Sequence, residues 1–263
     1  MPPAIDTLTT TVTAAAVAGT AAAAVSGDSL IVRSTSARVR LLQAWIDTDA
    51  IGFVQITSPK LHDNTRGLRF KTTVHQPFPL LPFDPRQDLY PVDTLAVTVG
   101  SAAGAGKIDN LTMMLYYDDI AGIQQTLIDV PTLQKRALES VTVEYAPGAP
   151  ASGSTYSGLK AITDQSDLLK RGSSYALVGY KLSANATTLT IRGADSGNFR
   201  IPMPADANSA YYTTTWFETL SDWTGLPLIP VFQANNSPAI FIEQISNDLL
   251  AAVAATLIFV RLG

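Results

Sequence analysis

The sequence predicts an all-β fold: an antiparallel two-sheet β-sandwich with one short helix and an extended N-terminal arm. Three observations carry that prediction. Short runs rich in Val, Ile, Leu, Thr and Tyr recur between turn-forming clusters, roughly ten of them, each suited to a pleated, half-buried surface. The stretch from Ser173 to Pro204 is the clearest case. Its runs SYALVGYKLS, TTLTIRG and FRIPMPA are divided at Asn185 and at the GADSGN turn, and they read as a three-strand meander. Finally, the runs do not alternate with helical segments and no period repeats along the chain, which argues against a parallel α/β fold, a propeller or a solenoid.

Taken in order, residues 1–26 are an Ala/Thr/Val-rich segment that reads as an arm, either loose or docked on a neighbouring subunit. It has no Lys or Arg before Arg33 and Thr interrupts its apolar content, unlike a secretory signal. Residues 27–263 form one domain. SLIVRST, ARVRLLQAWID and IGFVQI read as strands, the second with an imperfect period of two. The Pro-rich PFPLLPFDP segment cannot run through a central strand, because each Pro lacks a ladder donor. It reads as a stiff surface loop presenting Phe78 and Phe83. DTLAVTV and DNLTMMLYY are strands, and Asp118-Asp119 closes the second as a solvated turn. PTLQKRALES is the one helix, with Pro at its start and good helix formers behind it. VTVEY resumes strand. Trp216, Leu220 and Trp223 fall at near-helical spacing, leaving TTTWFETLSDW ambiguous between helix and strand. LPLIPVF, PAIFIEQIS and AAVAATLIFVRL complete the β content. The uncharged part of the last run is about a dozen residues, short of the ~20 that a membrane-spanning helix needs.

Composition narrows the function. Charged residues are 15% of the chain against about a quarter in a typical domain, so part of the surface is expected to be covered by neighbours. A net charge of -4 with scattered Lys and Arg argues against direct nucleic-acid binding. There is no cysteine, which removes disulfides, thiolate metal sites and cysteine nucleophiles; two histidines, His62 and His75, cannot build a multi-histidine metal centre. His62-Asp63 is not half of a triad, since adjacent residues cannot act as base and orienter and no Gly-x-Ser-x-Gly elbow is present. SAAGAG lacks the spacing and the Lys-Ser/Thr of a phosphate loop. No catalytic residue, metal or cofactor is expected, and the chain reads as a non-enzyme.

The phrases YALVGYKLS, GADSGNFRIPMPA, WFETL and LPLIPVFQANNSPAIFIEQIS, behind an Ala/Thr-rich arm, resemble the single jelly-roll proteins of phage particles. The resemblance spans Ser29 to the C-terminus. It implies a jelly-roll sandwich and a virion location after assembly in the host cytoplasm. It also implies a cement or decoration protein holding a phage head together as a homo-oligomer, a trimer, beside other capsid proteins. Unlike RNA-virus coats of that kind, the arm carries no positive charge, so genome contact falls to another chain. A major or minor jelly-roll capsid subunit is the alternative within that family. Interface anchors are then expected among Phe78, Phe83, Tyr211, Tyr212, Trp216 and Trp223, since a few buried aromatics dominate such contacts. Trp216 and Trp223 could equally plug the sandwich.

Two rivals come from other classes. A carbohydrate- or receptor-binding β-sandwich would stack sugars on exposed Trp or Tyr. A glycoside hydrolase would need two carboxyl groups about 5 to 9.5 Å apart; Asp118, Asp119, Glu139, Glu144 and Glu218 are available, but spacing marks no pair.

Overall fold

The computed structural model describes residues 2–13, 19–25, 29–33, 38–47, 52–59, 61, 67–72, 78–79, 88–101, 108–152, 155–162, 169–182, 188–204, 215–245 and 254–263. The chain is mostly β. Its first half carries β1 (Ala4–Thr13), β2 (Thr20–Ala21), β3 (Ala23–Ala24), β4 (Val39–Asp47), β5 (Gly52–Thr57), β6 (Leu68–Thr72), β7 (Phe78–Pro79), β8 (Asp88–Leu89), β9 (Ala96–Ser101) and β10 (Ile108–Tyr117). Next come β11 (Leu127–Ile128), α1 (Val130–Arg136), β12 (Ala137–Tyr145), β13 (Lys160–Ala161), β14 (Ser174–Leu182), β15 (Thr188–Gly193) and β16 (Ile201–Pro204). The chain ends with α2 (Trp216–Thr224), β17 (Ile229–Gln233), β18 (Ile240–Ile245) and β19 (Ala255–Leu262).

These strands form four antiparallel sheets, where the sequence suggested two. A central sheet runs β3-β1-β10-β4-β7, with β8 also on β4. The others run β2-β9-β5-β6, β11-β17-β14-β19-β12 and β13-β18-β15-β16. Of the Pro-bearing strands, β7 and β16 lie at sheet edges, where a missing N–H leaves no ladder bond unmade, while β17 with Pro230 lies between the two-residue β11 and β14.

The central sheet is buried on both faces because its strands alternate apolar side chains into two cores. On one face Ala4, Leu8, Val39, Leu41, Ile46, Leu111, Met113 and Leu115 meet Val54, Ile56, Val97 and Val99 of the β5–β9 sheet. On the other face Ile5, Leu42, Trp45, Met114 and Tyr116 join the larger core built by the C-terminal half. A bulge between Met114 and Leu115 sets Leu42 out of register on β4 and lets it reach that second core.

Three readings of the sequence change here. The N-terminal segment is no loose arm over Ala4–Thr13: that strand pairs with β10 along its whole length and lies inside this chain's own central sheet. Threonines that look tail-like in sequence serve a polar stripe of a buried sheet. The predicted meander is also split. β15 pairs with β16, but β14 pairs with β17 and β19 in a different sheet, so the break at Asn185 separates two layers. Finally, the helix from Pro131 ends at Arg136, and Ala137–Tyr145 is strand, captured by β19. Pairing with a buried neighbour outweighs the mild helix preference of ALES. The helix start is as expected: the Asp129 carboxylate accepts from Thr132 N at 2.9 Å and Pro131 sits in the first turn.

The GADSGN turn is fully legible. Gly197 and Asn198 adopt left-handed φ of 61° and 62°, and the Ser196 hydroxyl closes the turn on Gly193 and Phe199. Its Ser196 carbonyl then accepts from Gln125, which also brackets Ile5 by accepting from its N–H and donating to its C=O. One glutamine thereby ties the first strand to the C-terminal half.

Candidate contact surface

Of the acidic side chains named as catalytic candidates, Asp118 and Glu139 are held in ion pairs. Asp118 pairs with Arg40 at 2.9 Å, and Arg40 lies over the Tyr116 ring. Glu139 receives both Lys170 at 3.1 Å and Arg261 at 2.8 Å. Asp88 holds Arg38 at 2.6 Å. Among the described residues no group of His, Asp and Glu has the clustering of a metal site. His62 and His75 lie outside the described residues.

Two deeper pairs join distant parts of the chain. Glu243 on β18 accepts from Arg200 at 2.6 Å and lies 3.4 Å from Arg192. The Arg200 guanidinium stacks over Tyr156, whose hydroxyl meets Thr9 of β1 at 2.8 Å. Asp6 on β1 accepts from Arg33 Nε at 2.7 Å, and Arg33 lies over Phe199. Burial pushes the Asp6 carboxyl above its ordinary 3.8, with the Arg33 charge and hydrogen bonds opposing it. The sign for stability follows. A carboxyl whose folded pKa exceeds its unfolded one binds its proton more tightly when folded. Its contribution is therefore fully present below 3.8 and is lost as pH rises through the raised folded value. Urea midpoints measured across that range should fall with rising pH more steeply for the native chain than for Asp6→Asn. Parallel profiles would refute the assignment.

Of the anchors proposed from sequence, Trp216 is 5% exposed and belongs to the larger core, edge-on to Trp45 at 6.5 Å. It plugs the chain's own interior. Trp223, two turns further along α2 near its C-terminal end, is 44% exposed. Position along the helix separates the two: Trp216, Phe217 and Leu220 form the buried face, whereas Trp223 lies close to Trp216's side but in the last turn, just before Gly225 at φ 68° caps the end. Phe78 lies on the edge strand β7, opposite Ala44. Phe83, Tyr211 and Tyr212 lie outside the described residues.

Sequence reasoning missed a different exposed cluster. Tyr90, Val92 and Ile31 are 48%, 65% and 46% exposed. They sit on two segments joined by hydrogen bonds from Val32 N to Asp93 O and from Val92 N to Val32 O. Asp93 N donates to Tyr90 O, closing the turn Tyr90-Pro91-Val92-Asp93. Val92 takes a φ of 61°, a conformation that suits glycine and is rare for a β-branched residue. The turn is held from beneath, since buried Asp93 accepts from Ser58 Oγ at 2.6 Å. The sequence signal was Pro91: Pro at the second position suits a type I or a type II turn, and the type II form needs positive φ at the third position. A valine there is a residue out of place.

No protein-family model and no curated protein matches this chain. Among solved structures it is distantly similar to the PBSX exported protein XepA, at 11% identity and a TM-score of 0.25, over 97% of this chain and 86% of that one.

Proposed function

We propose that this protein is a structural component of a phage or phage-like particle, working through contact between folded surfaces and transforming no substrate. The finer form of the proposal is a head-cementing protein that associates with itself as a trimer and with capsid proteins; a jelly-roll capsid subunit is the alternative. The particle assignment rests on the sequence resemblance. The contact role rests on one observation: Tyr90, Val92 and Ile31 form an exposed apolar knob on a strained, well-supported turn. Such strain persists only where the surroundings impose it, and it concentrates at functional positions. Apolar groups held on a rigid backbone also lose little entropy on docking.

The test combines association and stability. Val92→Gly relieves the left-handed strain, which costs roughly 1–2 kcal/mol per residue, so the folded monomer should gain about 1 kcal/mol in denaturant titration. Together with Tyr90→Ser it should weaken self-association in sedimentation velocity and reduce co-sedimentation with particles. A native chain that stays monomeric at high concentration and never sediments with particles would defeat the proposal.

Exposed Trp223 favours a second reading, a carbohydrate-binding module, because an open indole face stacks on sugars. A glycan array that lights up with the native chain and goes dark with Trp223→Ala would establish it.

A further inference from the structure

The face that the central sheet turns to the C-terminal half changes character along its strands. Cross-strand neighbours on this face form successive rows, and the first contains Ile5 and Tyr116, both in the larger core. In the next, Thr7 is opposite Met114 and its hydroxyl donates to Arg200 O at 2.6 Å. The row after that is polar throughout. Thr9 meets Tyr156, Thr112 meets Thr188 at 2.8 Å, and Trp45 Nε1 donates to the Thr188 hydroxyl at 2.8 Å. One row further on, Asn110 lies between Thr11 on β1 and Asp47 on β4.

At that row the direct contacts run out. Asn110 is wholly buried, yet neither its Oδ1 nor its Nδ2 has a hydrogen-bond partner among the described residues. Gln43, buried on the same face, has an unpartnered Oε1. A buried amide with both ends unmet is costly, and native proteins satisfy nearly all such groups.

We propose that the polar end of this joint is wet: ordered water bound by the Asn110 amide completes the contact between the central sheet and the C-terminal half. The chemistry selects water. The amide is neutral and offers a donor beside an acceptor, which one water molecule answers with both of its functions. Thr11 is directly opposite in register, where facing Cβ atoms lie about 5 Å apart, so its hydroxyl is within reach as the bridging water's second partner. Full burial excludes a larger ligand from the closed fold.

Asn110→Leu separates the alternatives, since leucine keeps the branched outline of asparagine, at greater bulk, without its polar atoms. With bound water, the variant strands that water's remaining partners, and Tm should drop by several degrees. A high-resolution crystal structure of the native chain should show ordered water within hydrogen-bonding distance of Oδ1 or Nδ2. A raised Tm for Asn110→Leu, as expected if a dry, unpaired amide had been removed, would overturn the proposal. So would native density without water at the amide. Should the variant not fold, the native crystal structure decides alone.

Discussion

Removing residues 2–13 should abolish folding, in contrast to the mild effect expected from trimming an arm. β1 is an interior strand of the central sheet, paired with β10 on one side and β3 on the other. It places Ile5 in the larger core and Ala4, Leu8 and Val12 in the smaller one. Burying an Ile, Leu or Val side chain is worth about 1.5–3 kcal/mol. Losing three of them, with the β10 ladder, consumes much or all of a stability of about 5–15 kcal/mol typical for a domain. Circular dichroism of the shortened chain should lack both strand signal and a cooperative melt. A synthetic peptide of residues 2–13 should restore part of each, because the slot beside β10 is specific to it. A shortened chain that melts like the native one would return this segment to the role of a detachable arm.

That contrast marks where the sequence stopped being informative. Strand existence was legible wherever β-branched and aromatic runs met strong turn chemistry. β10, β15, β16, β18 and β19 fall close to their predicted places, and the Gly197-Asn198 turn has the backbone its residues demand. Partnership was not legible. Nothing in SYALVGYKLS and TTLTIRG states that they belong to different sheets, because pairing is set by register and burial at long range. β1 was misjudged for a related reason. Its threonines resemble solvated residues, and only the facing row of Thr112, Tyr156 and Thr188 makes them an interior polar stripe. Proline marked the edge strands β7 and β16, but it did not keep Pro230 out of β17, which lies between β11 and β14. Among the surface anchors, helical spacing rightly grouped Trp216 with Trp223 on one side but could not show that the core covers only the start of the helix there. The knob at Val92 escaped because its signal is a mismatch between residue and turn, not a pattern.

Glu243→Ala should cost about 3–5 kcal/mol, the range for removing one member of a buried ion pair. The carboxylate is 2% exposed and faces Arg200, itself 12% exposed, and Arg192, at 26%. Truncation leaves the Arg200 cation without its counter-charge in a setting where water cannot readily replace it. The loss would propagate, because Arg200 also stacks on Tyr156, and Tyr156 reaches Thr9 on the first strand. Glu243→Gln should cost less, since an amide oxygen still accepts from Arg200 although the charge is gone. Joint replacement, Glu243→Leu with Arg200→Met, removes both charges together and should recover much of the lost stability, as buried pairs often exchange for apolar residues at little net cost. Denaturant titration of Glu243→Leu, Arg200→Met and their double variant closes the cycle that yields the coupling energy. If Glu243→Ala proved as stable as the native chain, the pair would be a surface-like contact. The link from β18 through Arg200 to β1 would then carry no weight in joining the two halves of the molecule.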